Sequence, residues 1–90
     1  RHTDAALRSR LWPLLDDPER GADAALALAR TAPDLEARIE RRFDTAHART
    51  RLRMLLALHL RDTETSRTLL DRLESDRLTA PETELVRRWR

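Results

Sequence analysis

Residues 50–60 read TRLRMLLALHL, a run that is apolar on nearly every side of a helix from Leu52 onward. A helix that is apolar all round is buried, so we expect this run to form the centre of the core. Residues 34–60 keep one apolar face and predict either one helix of about 40 Å or two helices broken near Asp44 and Thr45. The break is favoured because helices of that length are uncommon in compact domains. The positions on this face are Leu35, Ile39, Phe43, Ala46, Thr50, Met54 and Ala57.

The composition of the chain argues against a sheet and predicts an all-α fold. Seventeen leucines and 13 alanines supply most of the apolar 40%, whereas Ile39 and Val86 are the only β-branched aliphatic residues. Leu, Ala, Arg and Glu favour helices, and β-branched residues favour strands. We expect a bundle or a short right-handed array of about five amphipathic helices. Residues 1–90 would form a single helical domain, which we expect to be a fragment or module of a longer chain.

Capping residues and prolines predict where the other helices begin and end. Thr79 and Glu82 match a capping box, and Pro13 should end or kink the first helix near Trp12. The small side chains between residues 22 and 29 should allow close approach to a neighbouring helix. The helix that follows Thr63 should bury Ser66, Leu69, Leu70 and Leu73. The predicted helix starts are Thr3-Asp4, Asp17-Pro18-Glu19, Thr31-Ala32-Pro33-Asp34, Asp62-Thr63 and Thr79-Ala80-Pro81-Glu82.

One start signal, Thr-Ala-Pro-acid-x-Glu, occurs twice, at residues 31–36 and 79–84, which are 48 residues apart. Helix pairs that recur at a fixed period are typical of solenoids. Residues 25–33 resemble the end of a tetratricopeptide repeat, where a helix of small residues runs into a proline turn, and residues 69–81 are similar. Leu56, Ala57 and Leu60 stand where that family's first helix carries large, small and large residues. The resemblance implies an α-solenoid, and the alternative is some other helical bundle or a dimerising domain.

The charge of the chain is nearly balanced except in its middle third. The chain has 18 arginines, no lysine and 16 acidic residues, which gives a net charge of +2. Residues 31–60 carry six arginines and four acids, whereas the two outer thirds are balanced. If residues 34–54 form one helix, five arginines share a sector of about 120° that could meet phosphates or an acidic protein face; if the helix breaks at Asp44, they form two clusters. The five are Arg38, Arg41, Arg42, Arg49 and Arg53.

Residues that catalyse reactions or bind metals form no recognisable pattern. The chain has no cysteine, and His2, His47 and His59 lack the spacing of a helical zinc site. Its three serines stand outside the motifs of serine hydrolases, and with Gly21 as the only glycine it has no phosphate-binding loop. The acids instead read as helix caps and as partners of arginines four residues away: Asp34 with Arg38, Arg67 with Asp71, Arg72 with Asp76, and Glu84 with Arg88. We therefore expect no enzymatic activity, no catalytic residue, no metal and no cofactor.

These observations favour a protein–protein interaction module, acting as a scaffold, an adaptor or an oligomerisation domain. Its partner would be another protein or a further part of the same chain, and homo-oligomers are possible. Nucleic-acid binding through the arginines of the middle third is the alternative. Trp12 and Trp89 read either as interface anchors or as parts of the core. With no apolar run of about 20 residues and no signal peptide, we expect no membrane contact and a cytoplasmic protein.

Overall fold

A computed structural model describes the backbone of residues 2–90 and the side chains of residues 6–90. The backbone from residue 2 onward contains helices and no strand, so the predicted all-α class is confirmed. Residues 2–90 form six α-helices instead of about five, because residues 34–60 form two helices. They are α1 (His2–Leu14), α2 (Gly21–Thr31), α3 (Leu35–Arg42), α4 (Ala48–Arg61), α5 (Glu64–Asp76) and α6 (Ala80–Arg88), with a 3-10 turn at Phe43–Thr45.

The first helix ends where its proline predicts. α1 ends at Leu14, two residues after Trp12, with Pro13 in its last turn. The predicted cap at Thr3 and Asp4 concerns side chains that lie outside the described ones, as does His2. In the part of the chain that the structure describes, no helix combines the length and the hydropathy that crossing a bilayer requires.

The centre of the fold is the contact between α2 and α4. α2 packs more extensively on α4 than on any other helix, and it buries Ala24, Ala25 and Leu28. Small side chains let the two backbones approach closely, as the sequence predicts. At the start of α2, a Cβ on Gly21 would lie 2.6 Å from the carbonyl oxygen of Leu15 and against the Arg53 guanidinium. Only glycine fits this position without displacing the connection between α1 and α2.

The run at residues 50–60 is only partly buried, which corrects the expectation that it is surrounded by core. Leu55 and Leu58 are fully buried. Leu52 and Leu60, however, are 36% and 40% exposed, and with half-buried Leu56 they occupy positions four residues apart on one face of α4. That face of the helix contacts solvent, because its opposite face holds the contact with α2.

The break between α3 and α4 is confirmed, but its predicted cap is wrong. Buried Phe43 continues α3 into the 3-10 turn, so Asp44 and Thr45 belong to that turn and do not start α4. The chain becomes extended at Ala46, and the residue before α4 is His47. No side chain accepts a hydrogen bond at this helix start.

Two later helices begin with the capping boxes that their sequences favour. The Thr79 side chain accepts from the Glu82 amide, and Glu82 accepts in return from the Thr79 amide. Thr63 and Ser66 form the same reciprocal pair at the start of α5, and the predicted buried residues Ser66, Leu69, Leu70 and Leu73 are all buried. Ahead of α2, the Asp17 carboxylate accepts from two backbone amides at 2.8 Å. These two hydrogen bonds hold the pKa of Asp17 below its usual value.

The two Thr-Ala-Pro turns differ in structure. At residues 79–82 the threonine is the N-cap, and the proline lies in the first turn of α6. At residues 31–34 the threonine ends α2 and donates to the Ala27 carbonyl, and Asp34 is the N-cap of α3. The same sequence pattern therefore spans the end of one helix and the start of the next at residues 31–34, but forms only a helix start at residues 79–82. The resemblance to tetratricopeptide repeats stays a prediction.

Two arginines of α4 hold the carboxyl ends of α1 and α2. Arg49 donates to the Asp16 carbonyl just beyond α1 at 2.9 Å. Arg61 donates to the carbonyls of Ala29 and Ala32 at the end of α2 and to the Glu36 carboxylate, the first of these at 3.0 Å and the last at 2.8 Å. The last carbonyls of a helix lack partners within the helix, and the negative end of the helix dipole favours a cation there.

Two further arginines hold the ends of α3 and α5. Arg51 donates to the Arg77 carbonyl after α5 at 2.8 Å, and its guanidinium lies 4.1 Å above the Phe43 ring. Arg77 donates to the Glu40 carbonyl and to the Asp44 carboxylate, both at 3.1 Å. Because Phe43 and Asp44 belong to the 3-10 turn, these contacts fix the connection between α3 and α4.

Arg51 also forms an ion pair with Glu82 that joins α4 to α6. The two side chains meet through two hydrogen bonds of 2.8 and 2.9 Å. Burial by itself raises the pKa of the Glu82 carboxyl, but hydrogen bonds from Arg51 and from the Thr79 amide outweigh burial and hold that pKa below its usual value. The hydrogen bonds with Glu82 raise the pKa of Arg51. This pair is charged throughout the physiological range.

Candidate functional site

An open groove lies between the end of α1, the outer face of α3 and the first turns of α4; we refer to it as the α1–α3 groove. Its volume is about 450 Å³. A second cavity of about 360 Å³ adjoins it, shares Trp12 and Arg38, and adds Arg8 and Asp34. Its lining includes Trp12, Pro13, Arg38, Arg42, His47 and Met54.

The end of α1 and the break between α3 and α4 form this groove. α1 ends just after Trp12, whose half-buried ring packs against the edge of the core. The break between α3 and α4 places Thr45, Ala46 and His47 in the lining. Arg51 and Arg77 bond to the 3-10 turn that ends at Thr45 and to the preceding end of α3. These contacts hold one wall of the groove in place.

Within the groove, the guanidinium group of Arg38 lies over the indole ring of Trp12. The guanidinium carbon lies 4.6 Å from the centroid of the indole ring, a cation–π arrangement. The Nε atom of Arg38 is buried and has no hydrogen-bond partner. A buried donor without an acceptor costs about 1–3 kcal/mol. The Arg38 guanidinium therefore carries one buried N–H group that no acceptor among the described residues satisfies.

Arg38, Arg42 and His47 of the groove differ from most arginines of the core edge in their hydrogen bonds. Arg49, Arg51, Arg61 and Arg77 all donate to carbonyls or carboxylates of the chain. Among residues 6–90, by contrast, no acceptor is found for the side chains of Arg38, Arg42 and His47. Exposed Arg42 and His47 are therefore free to meet an acceptor from outside the molecule, and half-buried Arg38 lies in the same lining.

The structure brings together three of the predicted binding residues, namely Trp12, Arg38 and Arg42. The other four of the seven are elsewhere. Arg41 is exposed on α3 outside the groove lining, and Arg49 is bonded to a carbonyl. α3 ends at Arg42 and α4 starts at Ala48, so the five predicted arginines do not form the single row that one continuous helix would give.

Arg53 and Trp89 occupy structural positions away from the groove. Arg53 lies against Gly21, and its Nη1 atom is buried without a partner. Trp89 stacks on the His59 ring, with the centroids 4.5 Å apart and the planes 9° from parallel. Both rings line a separate cavity of about 320 Å³ next to Val86. Trp89 also packs against the core, so its position is that of a core-edge residue.

Some of the predicted pairs of charges are replaced by longer-range ones. Glu84 and Arg88 pair as predicted, at 2.9 Å. Arg67 bonds instead to Asp62, Arg72 pairs with Glu40 of α3, and Arg38 stacks on Trp12. A helical sequence shows which charges lie four residues apart but not which neighbouring helix competes for them.

Sequence reasoning missed His47 and Met54 as groove residues and the pairing of Arg51 with Glu82. Arg51 and Glu82 are 31 residues apart, so no local spacing signals their contact. His47 enters the groove because it is the N-cap of α4, whereas the sequence predicts that cap at Asp44 and Thr45. No group of three or more histidines and carboxylates that could hold a metal ion is found where the structure describes side chains.

A scan against protein-family models, a search of curated proteins and a search of solved structures found no match to this chain.

Proposed function

We propose that the chain is a helical protein-interaction domain without catalytic activity, and that it binds its partner in the α1–α3 groove. The observation that carries this proposal is the pair of arginines Arg38 and Arg42, which have no acceptor among residues 6–90, beside the half-buried ring of Trp12. Such a domain serves as a scaffold, an adaptor or an oligomerisation module.

The chemistry of the groove supports protein binding. Trp, Arg and Met are enriched in protein interfaces, and Trp and Arg dominate the residues whose truncation weakens binding most. Trp12 and Arg38 offer two of these types in one groove, whereas Met54 in its lining is a core residue that is only 3% exposed. Its wall at the 3-10 turn is held by Arg51 and Arg77, which reduces the entropy that binding has to overcome.

The arrangement of the helices is part of the same proposal. We infer a short bundle centred on α2 and α4, with a right-handed array of the tetratricopeptide type as the alternative. A cytoplasmic location fits either arrangement. A partner could be another protein, a further part of the same chain, or a second copy.

The proposal is tested by selecting random peptides on phage against the folded domain and mapping the selected peptides on the 15N-labelled protein by NMR. We expect the shifted amides to include those of residues 38–42 and 45–50. Arg42→Gln should weaken binding, because it removes a positive charge from the groove. The domain should stay folded, because the Arg42 side chain is exposed. Arg30→Gln, an exposed arginine on α2, is the matched control. The proposal is refuted if the selected peptides shift only protein amides that lie outside the groove.

Nucleic-acid binding is the second candidate, and the unpaired guanidinium groups of Arg38 and Arg42 favour it. Its test is titration of the 15N-labelled protein with single- and double-stranded oligonucleotides at low salt, where phosphate contacts are strongest. Binding that weakens steeply with salt and that Arg38→Gln with Arg42→Gln abolishes would support this candidate. A lack of any spectral change at low salt would eliminate it.

A further inference from the structure

We propose that the α1–α3 groove recognises carboxylates, and that its ligand is an acidic, partly apolar segment of a partner protein. Arg38 and Arg42 would donate to an Asp or Glu side chain of that segment. The inference rests on the proposed protein-binding function and deepens it by naming the chemical class of the partner.

The distribution of charge in the groove supports an anionic ligand. Arg38 and Arg42 are one turn apart on α3, and His47 follows across the break between the helices. Charge-assisted hydrogen bonds from guanidinium groups to carboxylates are among the stronger polar contacts in proteins. Asp34 lies in the adjoining cavity with Arg8 and Arg38, and its carboxylate makes that cavity less favourable for an anion than the groove, whose lining among residues 6–90 has no acidic residue. We therefore place the carboxylate of the ligand between Arg38 and Arg42, on the side of the groove away from Asp34.

The remainder of the lining calls for an apolar side chain beside that carboxylate. Half-buried Trp12 and exposed Pro13 contribute apolar surface to the same groove, and buried Met54 completes its apolar lining. A volume of about 450 Å³ accommodates a few side chains of a segment. Acidic residues interspersed with Leu or Phe match both parts of the lining.

Three observations favour an acidic peptide over a nucleic acid. The indole of Trp12 has one face covered by the Arg38 guanidinium, which limits its use as a platform for stacked bases. Arg49 is bonded to a backbone carbonyl and Arg53 is packed against Gly21, so the row of arginines that would follow a phosphate backbone is interrupted. The net charge of the chain is only +2.

The test uses two capped peptides of about ten residues, one with alternating Glu and Leu in its centre and a twin with Gln in place of every Glu. Binding to the folded domain is measured by fluorescence anisotropy and by 15N chemical shifts. We expect a dissociation constant of the order of 10–100 µM for the acidic peptide and binding at least about tenfold weaker for its twin. The shifted amides should lie around residues 38–50.

Matched variants link the effect to named side chains. Arg38→Gln and Arg42→Gln should each weaken binding of the acidic peptide about tenfold, whereas Arg30→Gln should leave it unchanged. Asp34→Asn should strengthen binding slightly, because it removes a negative charge from the adjoining cavity. Circular dichroism confirms that each variant is folded.

The outcomes separate this inference from the proposed function. If peptides selected on phage bind in the groove but carry no excess of acidic residues, protein binding holds and carboxylate recognition is wrong. Equal affinity for the two synthetic peptides, or tighter binding of an oligonucleotide that Arg38→Gln abolishes, also overturns the inference. If no peptide of any composition shifts the amides of the groove, both the inference and the proposed function are wrong.

Discussion

Replacing Glu82 by glutamine should lower the free energy of unfolding by about 2 kcal/mol, although the two side chains have nearly the same shape. The Glu82 side chain is only 6% exposed, and it accepts three hydrogen bonds of 2.8–2.9 Å, two from Arg51 and one from the Thr79 amide. A glutamine keeps one oxygen for Thr79 and for one nitrogen of Arg51. It places an NH2 group where the other nitrogen of Arg51 donates.

The magnitude follows from these contacts. Glu82→Gln removes one hydrogen bond to a charged group, worth about 1.5–3 kcal/mol, and weakens the second. Removing one partner of a fully buried ion pair costs about 3–5 kcal/mol. The Arg51 side chain is 15% exposed and keeps its contacts with the Arg77 carbonyl and the Phe43 ring, so the lower part of these ranges applies. For a domain of this size the midpoint of thermal unfolding should fall by about 10 °C.

The assay is urea unfolding followed by circular dichroism, with Glu84→Gln as the matched control. Glu84 lies on the same helix and pairs with Arg88, but both side chains are exposed, so its replacement should cost less than about 0.5 kcal/mol. Arg51→Gln with Glu82→Gln completes a double-mutant cycle, which should give a coupling energy of about 1 kcal/mol or more. If Glu82→Gln and Glu84→Gln unfold at the same urea concentration, the pair does not stabilise the fold as we argue.

Three further predictions concern the same framework. Gly21→Ala should destabilise the domain by about 1–3 kcal/mol, since the new Cβ would press on the Leu15 carbonyl; unchanged or increased stability in urea would contradict this. Because the pKa of Glu82 is lowered in the folded state, its contribution is present above about pH 4.5 and is lost as the pH falls through the lowered pKa. Stability measured between about pH 6 and pH 3 should therefore decline less in Glu82→Gln than in the parent, and parallel curves would refute the assignment. Arg61→Lys should cost about 1.5–3 kcal/mol, because one ammonium cannot reach the three acceptors that the guanidinium joins; Arg30→Lys should change stability by less than about 0.5 kcal/mol, and an equal loss in both variants would argue against this role.

The helices of this chain could be predicted from local sequence because their signals are local. The capping box of Thr79 and Glu82 depends on residues three apart, and the position of Pro13 alone limits α1. The break after α3 was placed at Asp44 instead of His47 because Asp is a good N-cap residue. The buried ring of Phe43 overrode that preference by extending the turn. The burial of Phe43 in the tertiary structure therefore sets where α4 starts, and local helix propensities do not predict that burial.

The groove could be predicted only in part, for the same reason. Trp12, Arg38 and Arg42 were selected as binding residues by their type and position, but the contact of Arg38 with Trp12 joins residues of different helices. The exposure of Leu52 shows the opposite error. An apolar run predicts burial on all sides, whereas the helices of this small domain cover only some sides of α4.

In this chain, which has one glycine and 18 arginines, arginine side chains bond to carbonyls near several helix ends. Helices often end with a glycine in the left-handed conformation, which allows the last carbonyls to be satisfied. Here α4 ends instead at Asp62, with φ 53° and ψ 41°. The ends of α1, α2, α3 and α5 receive hydrogen bonds from arginine side chains far away in sequence: Arg49, Arg61, Arg77 and Arg51.

These helix-end contacts change how the arginine content bears on function. A high arginine content by itself suggests a partner with phosphates, but an arginine that satisfies a helix end is not available to such a partner. Once these structural arginines are set aside, Arg38 and Arg42 stand out because they share one groove and no acceptor satisfies them in the part of the chain that the structure describes. Substitutions at the helix-end arginines should therefore change stability, and substitutions at Arg38 and Arg42 should change binding while the domain stays folded.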